Sequence, residues 1–276
     1  MSAWLDELRQ ALDAASHGVD FFFRDDDAGW NDERLLDLLD LFERHSMPID
    51  VAAIPTALTS GMAAELRLRL EARPDGVAIH QHGFAHQNHE PMERRKCEFG
   101  LARDAALQQS DIELGKSRLN DLFGSLVRPI FTPPWNRCAS ATGECLRRAG
   151  FRILSRDVTA RPLNLDGLIE LPVTIDWFAR ARRVRVSLEE LGAALAAGVR
   201  ASTPVGVMFH HALMDETERH RASELFALLA SHTSARCSLM EQVASDISQD
   251  NAIETAGQAA VRRPAMMLST ATAERT

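Results

Sequence analysis

Gly76-Val77-Ala78-Ile79-His80-Gln81-His82-Gly83-Phe84-Ala85-His86-Gln87-Asn88-His89 is the stretch on which the reading of this chain turns. Its apolar start, 77–79, reads as a buried strand, and His80, His82, His86 and His89, out of ten histidines in all, follow at once. Neutral imidazole is the commonest metal-ligating side chain, and the His82-x-x-x-His86 spacing brings two rings to one side of a helical turn. Gly83 lets the backbone turn sharply where the strand stops. His80 shares a strand face with His82, as an outer donor or a core residue. A two-histidine site needs a third, anionic ligand. The only dense carboxylate cluster at another strand end is Asp25-Asp26-Asp27, whose charges repel unless a cation or protons neutralise them.

Outward from these two stretches, apolar runs of strand length at 19–23, 50–54, 77–79, 126–131, 151–154, 168–175 and 205–209 alternate with helical patterns. Those fall at 3–16, 32–45, 63–70, 101–123, 144–149, 188–199 and 223–230. Leu35, Leu38, Leu39 and Phe42 give the clearest helical stripe. Such alternation implies parallel pairing and an α/β architecture. Polar clusters follow the strands at 25–27, 80–89, 132–137, 176–177 and 210–211. In parallel folds sites gather at the carboxyl ends of strands, so these clusters predict an active site on one edge. No linker or repeat interrupts the pattern. We expect one catalytic domain over 1–252, with helix 3–16 leading in, and a disordered tail over 253–276.

Hydrophobic content of 45% and charged content of 25% are those of an ordinary globular chain. A net charge of -8 without any Lys/Arg block argues against a nucleic-acid or anionic-membrane binder. No stretch is apolar enough to span a bilayer, and residues 1–16 lack the apolar core of a signal peptide. Cys97, Cys138, Cys145 and Cys237 have no paired C-x-x-C spacing; free thiols and a cytoplasmic address are expected.

Three further stretches carry chemistry. His210-His211 end the strand 205–209, and either is a candidate general acid, with Asp215 available to orient it. Thr132-Pro133-Pro134-Trp135-Asn136-Arg137 is a rigid aromatic segment. It is either a stiff loop around a packed Trp or a device that points the Trp135 amide into a pocket as an oxyanion donor. Ile175-Asp176-Trp177 offers an apolar wall and a carboxylate that can hold an arginine.

In this order the stretches resemble the NodB-type polysaccharide deacetylases, carbohydrate esterase family 4, over about residues 19–215. The resemblance implies a distorted (β/α) barrel of about seven parallel strands and one divalent metal, zinc above all, on an Asp-His-His set. Phe23-Arg24-Asp25-Asp26-Asp27 stands for the Thr-Phe-Asp-Asp-Gly motif, which makes Asp25 the catalytic base and Asp26 the metal ligand beside His82 and His86. A shift of one residue would pass these roles to Asp26 and Asp27. Thr132 replaces the arginine that buttresses the catalytic carboxylate, with Arg24 or Arg137 as substitutes. Asp176 fits the fourth motif, and Met208-Phe209-His210 the fifth, with His210 as the acid. Trp177, Pro134 and His211 are the expected substrate contacts. The implied reaction is attack of metal-bound water on the N-acetyl group of an amino sugar or glycan precursor, the Trp135 amide holding the oxyanion. Rival readings are hydrolysis of another amide, such as a formamide or cyclic ureide, and a non-catalytic member that binds metal or glycan.

Overall fold

The computed structural model describes residues 2–249 except 182, 183 and 202, so the expected tail at 253–276 lies outside the described residues. Strand β1 (Val19–Ala28) runs through the three aspartates instead of stopping at residue 23. Successive side chains of a strand point to opposite faces. Phe21 and Phe23 therefore enter the main apolar cluster, together with Leu35, Leu38 and Phe42 of helix α2 (Asp32–Arg44). Arg24 and Asp26 point to the other face. The alternation then breaks. Pairing with β2 (Ile49–Ala53) shifts register between Asp25 and Ala28, and Asp27 has a left-handed φ of 73°. A bulge of this kind re-aims a side chain.

Helix α1 (Asp6–Asp13) precedes β1 behind a short 3-10 turn, Ala3–Leu5, and α3 (Ser60–Ala72) follows β2. Strand β3 (Val77–His82) is longer than the apolar run that announced it and carries His80 and His82 within it. Next come α4 (Ala105–Phe123), β4 (Val127–Thr132), α5 (Ser140–Arg148), and the short strands β5 (Ile153–Leu154), β6 (Ile169–Glu170) and β7 (Ile175–Asp176). Two dipeptide strands, β8 (Arg180–Ala181) and β9 (Val184–Arg185), pair antiparallel. Helix α6 (Leu188–Arg200), β10 (Val205–His210), α7 (Glu216–Ser231) and β11 (Ala235–Cys237) follow, with a further helical run over 240–249.

The parallel sheet runs β6-β5-β4-β3-β2-β1-β10-β7, with β11 added beside the start of β1. Its two ends do not pair. The result is a curled half-barrel with helices outside, the distorted (β/α) barrel expected, built on eight strands instead of seven. The elements lie in one compact unit, Met1–Ala244. Among the described residues no helix is long and apolar enough to cross a membrane, and all four cysteines are free thiols.

Candidate active site

The carboxyl ends of β1, β3, β4, β7 and β10 bring the polar clusters together. Asp27, His82 and His86 present a carboxylate oxygen and two ring nitrogens within 4.8 Å of one another. Asp27 Oδ1 lies 3.1 Å from the Nε2 atoms of both histidines. His82 ends β3, whereas His86 lies in the following loop with a φ of 53°. The pair therefore converges through a strand end and a turn, not along the helical turn that the spacing suggested. His82 Nδ1 donates to the Thr132 carbonyl oxygen at 3.1 Å, which makes Nε2 the ring nitrogen that faces Asp27. Burial works against charge here. Even so, hydrogen bonds from His82 and His86 hold Asp27 well below the usual carboxylate range, and Asp27 and Asp26 raise the proton affinity of His82. A site that attracts protons this way attracts a cation, and one carboxylate with two imidazoles suits a divalent metal.

The expectation that Asp26 belongs to this set needs correction, because Asp27 stands there. Asp26, buried, is gripped by Arg24 through Nε–Oδ1 at 2.8 Å and Nη2–Oδ2 at 3.0 Å. Arg24 is itself fully buried and also donates to Ser155 Oγ at 2.8 Å and Asn136 Oδ1 at 2.7 Å. Burial would raise the Asp26 pKa, but Arg24 foremost, then His82 and His210, bring it below the ordinary value. Of the two candidate substitutes for the missing arginine, it is Arg24 that reaches Asp26. Arg137 instead donates to the Lys96 carbonyl oxygen at 3.1 Å.

Asp25 points the other way, into the layer between sheet and helices. Its carboxylate accepts from His211 Nδ1 at 2.6 Å and from the His211 amide at 2.8 Å. His211 is fully buried, and its Nε2 donates to the Trp30 carbonyl oxygen at 2.6 Å. Against burial, Asp25 pushes the His211 pKa up to about 9. Asp25, expected as base, and His211, expected as substrate contact, are thus both buried and bonded to each other. Asp215, offered as a partner for these histidines, caps α7 by accepting from the Glu218 amide at 2.9 Å.

His210 lies opposite Asp26 across the β1–β10 pairing, and Met208 lies opposite Asp176 across β10–β7. The His210 Nδ1 is buried without a hydrogen-bond partner in the described protein. Asp176 has a pKa raised by burial, and the nearby His210 opposes that rise. Trp177 was an expected substrate contact. It is fully buried, donates from Nε1 to Glu218 Oε2 at 2.9 Å, and packs on Phe209, so it holds α7 to the sheet. Pro134 is buried too, against Gly83. Trp135, at φ 56°, lays its ring 4.5 Å from that of His86. His80 is a core residue, with Nε2 2.9 Å from Thr132 Oγ1 and a pKa pushed down to about 3 by burial.

Two residues escaped the sequence reading. Trp30, 41% exposed, stands with its ring 4.9 Å from that of His86, at a position that no histidine or carboxylate pattern marks. Glu98 is buried under the 83–87 loop and accepts the amides of Phe84, Ala85 and Gln87. A buried glutamate in a charged segment is indistinguishable by sequence from its solvated neighbours.

No protein-family model and no curated protein matches the chain. Solved structures do. A Mycobacterium smegmatis protein described as a polysaccharide deacetylase superposes with a TM-score of 0.67 at 16% identity, covering 86% of this chain and 92% of that one. A CE4 esterase from Streptococcus mutans gives 0.56 at 14% identity, over 85% and 90%. A family 4 acetyl xylan esterase from Clostridium thermocellum, solved with a cobalt ion, gives 0.52 at 13% identity, over 81% and 89%. The curled parallel sheet of this chain, with its polar clusters on one edge, is the fold of the polysaccharide deacetylases and esterases of carbohydrate esterase family 4.

Proposed function

We propose that this chain is a metal-dependent hydrolase that removes the N-acetyl group from an amino sugar or glycan precursor. The observation that carries the reading is the pairing of two units. The Asp27, His82 and His86 donors converge within 4.8 Å, and beside them Arg24 locks a separate carboxylate, Asp26. A divalent ion held by that set, zinc in the first instance, supplies an acidified water and a Lewis acid for the carbonyl oxygen. Asp26, kept ionised by Arg24, takes the proton of the attacking water through a lone pair that Arg24 leaves free. The Trp135 amide is the oxyanion donor, and His210, with Asp176 beside it, protonates the departing amine. Absence of the buttressing arginine at Thr132 would favour a non-catalytic member; the grip of Arg24 on Asp26 answers it.

Elemental analysis and acetate release from N-acetyl sugars test the reading on two variants. Asp27→Asn should lose both metal and turnover. Asp26→Asn should keep about one equivalent of metal while turnover falls by ~10²-fold or more. The opposite pattern would return the ligand role to Asp26, and no metal after reconstitution would sink the site. Metal with formamide hydrolysis but no acetate release would move the function to another amide.

A further inference from the structure

A cleft of about 1030 Å³ opens on the same edge of the sheet, among the loops that follow β3, β4 and β5. It is at the upper end of the ~300–1,000 Å³ typical of small-ligand sites. Its wall carries Arg94, Arg95, Arg137, Arg156 and Arg161, opposed by Glu90 and Glu93 alone. Arg94 is taken by Glu90 and Arg156 by Glu170. Among the described residues no carboxylate pairs with Arg95, Arg137 or Arg161. Burial and then the neighbouring Arg95 charge push the Arg137 pKa down. Arg156 is 5% exposed, and its Nε is buried without a hydrogen-bond partner. In a chain with net charge -8 such a gathering of cations opposes the general balance, and among the described residues three of its five guanidinium groups pair with no carboxylate.

The cleft is joined to the site. Asn136 lines it and accepts from the same Arg24 that grips Asp26. Lys96, between the lining residues Arg95 and Cys97 in the chain, lies 5.9 Å from the centre of the Trp135 ring, which packs against His86. The cleft thus shares Asn136 with the network around Asp26, and borders the Trp135 ring that packs on His86. We propose that the cleft takes a phosphate or diphosphate carried by the substrate, so that the acetamido sugar is a phosphorylated one. Several guanidinium forks converging from three loops match a multi-oxygen anion of charge near -2 better than a single carboxylate.

This inference deepens the deacetylase reading and rests on it for turnover, but it has a binding readout of its own. With the metal-loaded full chain, N-acetylglucosamine 1-phosphate should exceed N-acetylglucosamine in kcat/KM by ~10-fold or more, the effect of one good charge-assisted contact. The exposed pair Arg95→Ser with Arg161→Ser should erase most of that preference and leave kcat/KM for the neutral sugar unchanged. Calorimetry with glucose 1-phosphate, glucose and glucuronate should show binding of the phosphate alone, lost in the double variant. Glucose 1-phosphate binding without acetate release from any sugar would sink the deacetylase reading and leave the subsite standing. Acetate release with no preference for phosphate, or a preference that the double variant retains, would overturn the subsite. Glucuronate binding as tightly as glucose 1-phosphate would overturn the phosphate assignment.

Discussion

Asp25, Asp26 and Asp27 are adjacent on one strand, and each faces a different partner: His211, Arg24 and the His82/His86 pair. Period-2 alternation sends Asp25 away from Asp26, and the positive φ of Asp27 turns it toward the histidines. Arg24 shares a face with Asp26 for the same reason and stands where Thr132 left no arginine. Its removal is the most informative change at this scale. In Arg24→Met a buried carboxylate loses its counter-charge, which should cost ~3–5 kcal/mol in denaturant unfolding. Because Arg24 is the leading influence that lowers the Asp26 pKa, its loss raises that pKa. The acid limb of the kcat/KM profile should then move to higher pH. An unchanged limb would show that Asp26 is not the titrating base.

The element that shapes the donor set is the turn after β3. Gly83 has a φ of 55°, and a Cβ there would collide with Glu98 Oε2 and meet Pro134 Cδ at 2.5 Å. Glycine is thus required twice, for conformation and for space. The room beside Gly83 is filled by the Glu98 carboxylate, which accepts three amides of the loop that carries His86. Glu98→Gln replaces an acceptor with a donor under that loop. It should weaken zinc binding by ~10–100-fold in a chelator competition, the usual effect of disturbing support around a ligand. Gly83→Ser should do the same with an added stability loss of ~1–3 kcal/mol. If zinc affinity is unchanged in Glu98→Gln, the loop is held by other contacts.

Across the whole molecule, β2 is tied to the segment after β11 through one buried carboxyl. Asp50 Oδ2 accepts from the Met240 amide at 2.8 Å, while Oδ1 has no hydrogen-bond partner in the described protein. Burial pushes its pKa up to about 7. A carboxyl raised in the folded state stabilises fully below its unfolded value near 3.8 and loses that contribution as pH climbs to about 7. Asp50→Asn should therefore gain on the wild type across that window, by a few kcal/mol, in unfolding measured at pH 4 and pH 8. A constant difference between the two proteins would show that Asp50 is charged throughout.

Much of this was legible in the chain itself. Alternating apolar runs gave the parallel α/β sheet, because strand and helix periods are local properties of the sequence. His82, His86 and an aspartate of 25–27 were recognisable as candidate donors, because few residue types ligate metals and these cluster after strands. Which aspartate faces the histidines depended on a bulge between β1 and β2, and a bulge is a relation between two strands. The burial of Trp177 and His211 depended on Glu218 and Asp25, partners far away in the chain. The cationic cleft needed loops after three strands to meet. Local periodicity decides which elements form and which edge carries chemistry. Only packing decides which side chain of an acidic or aromatic run reaches that edge, since neighbours in sequence leave a strand on opposite faces.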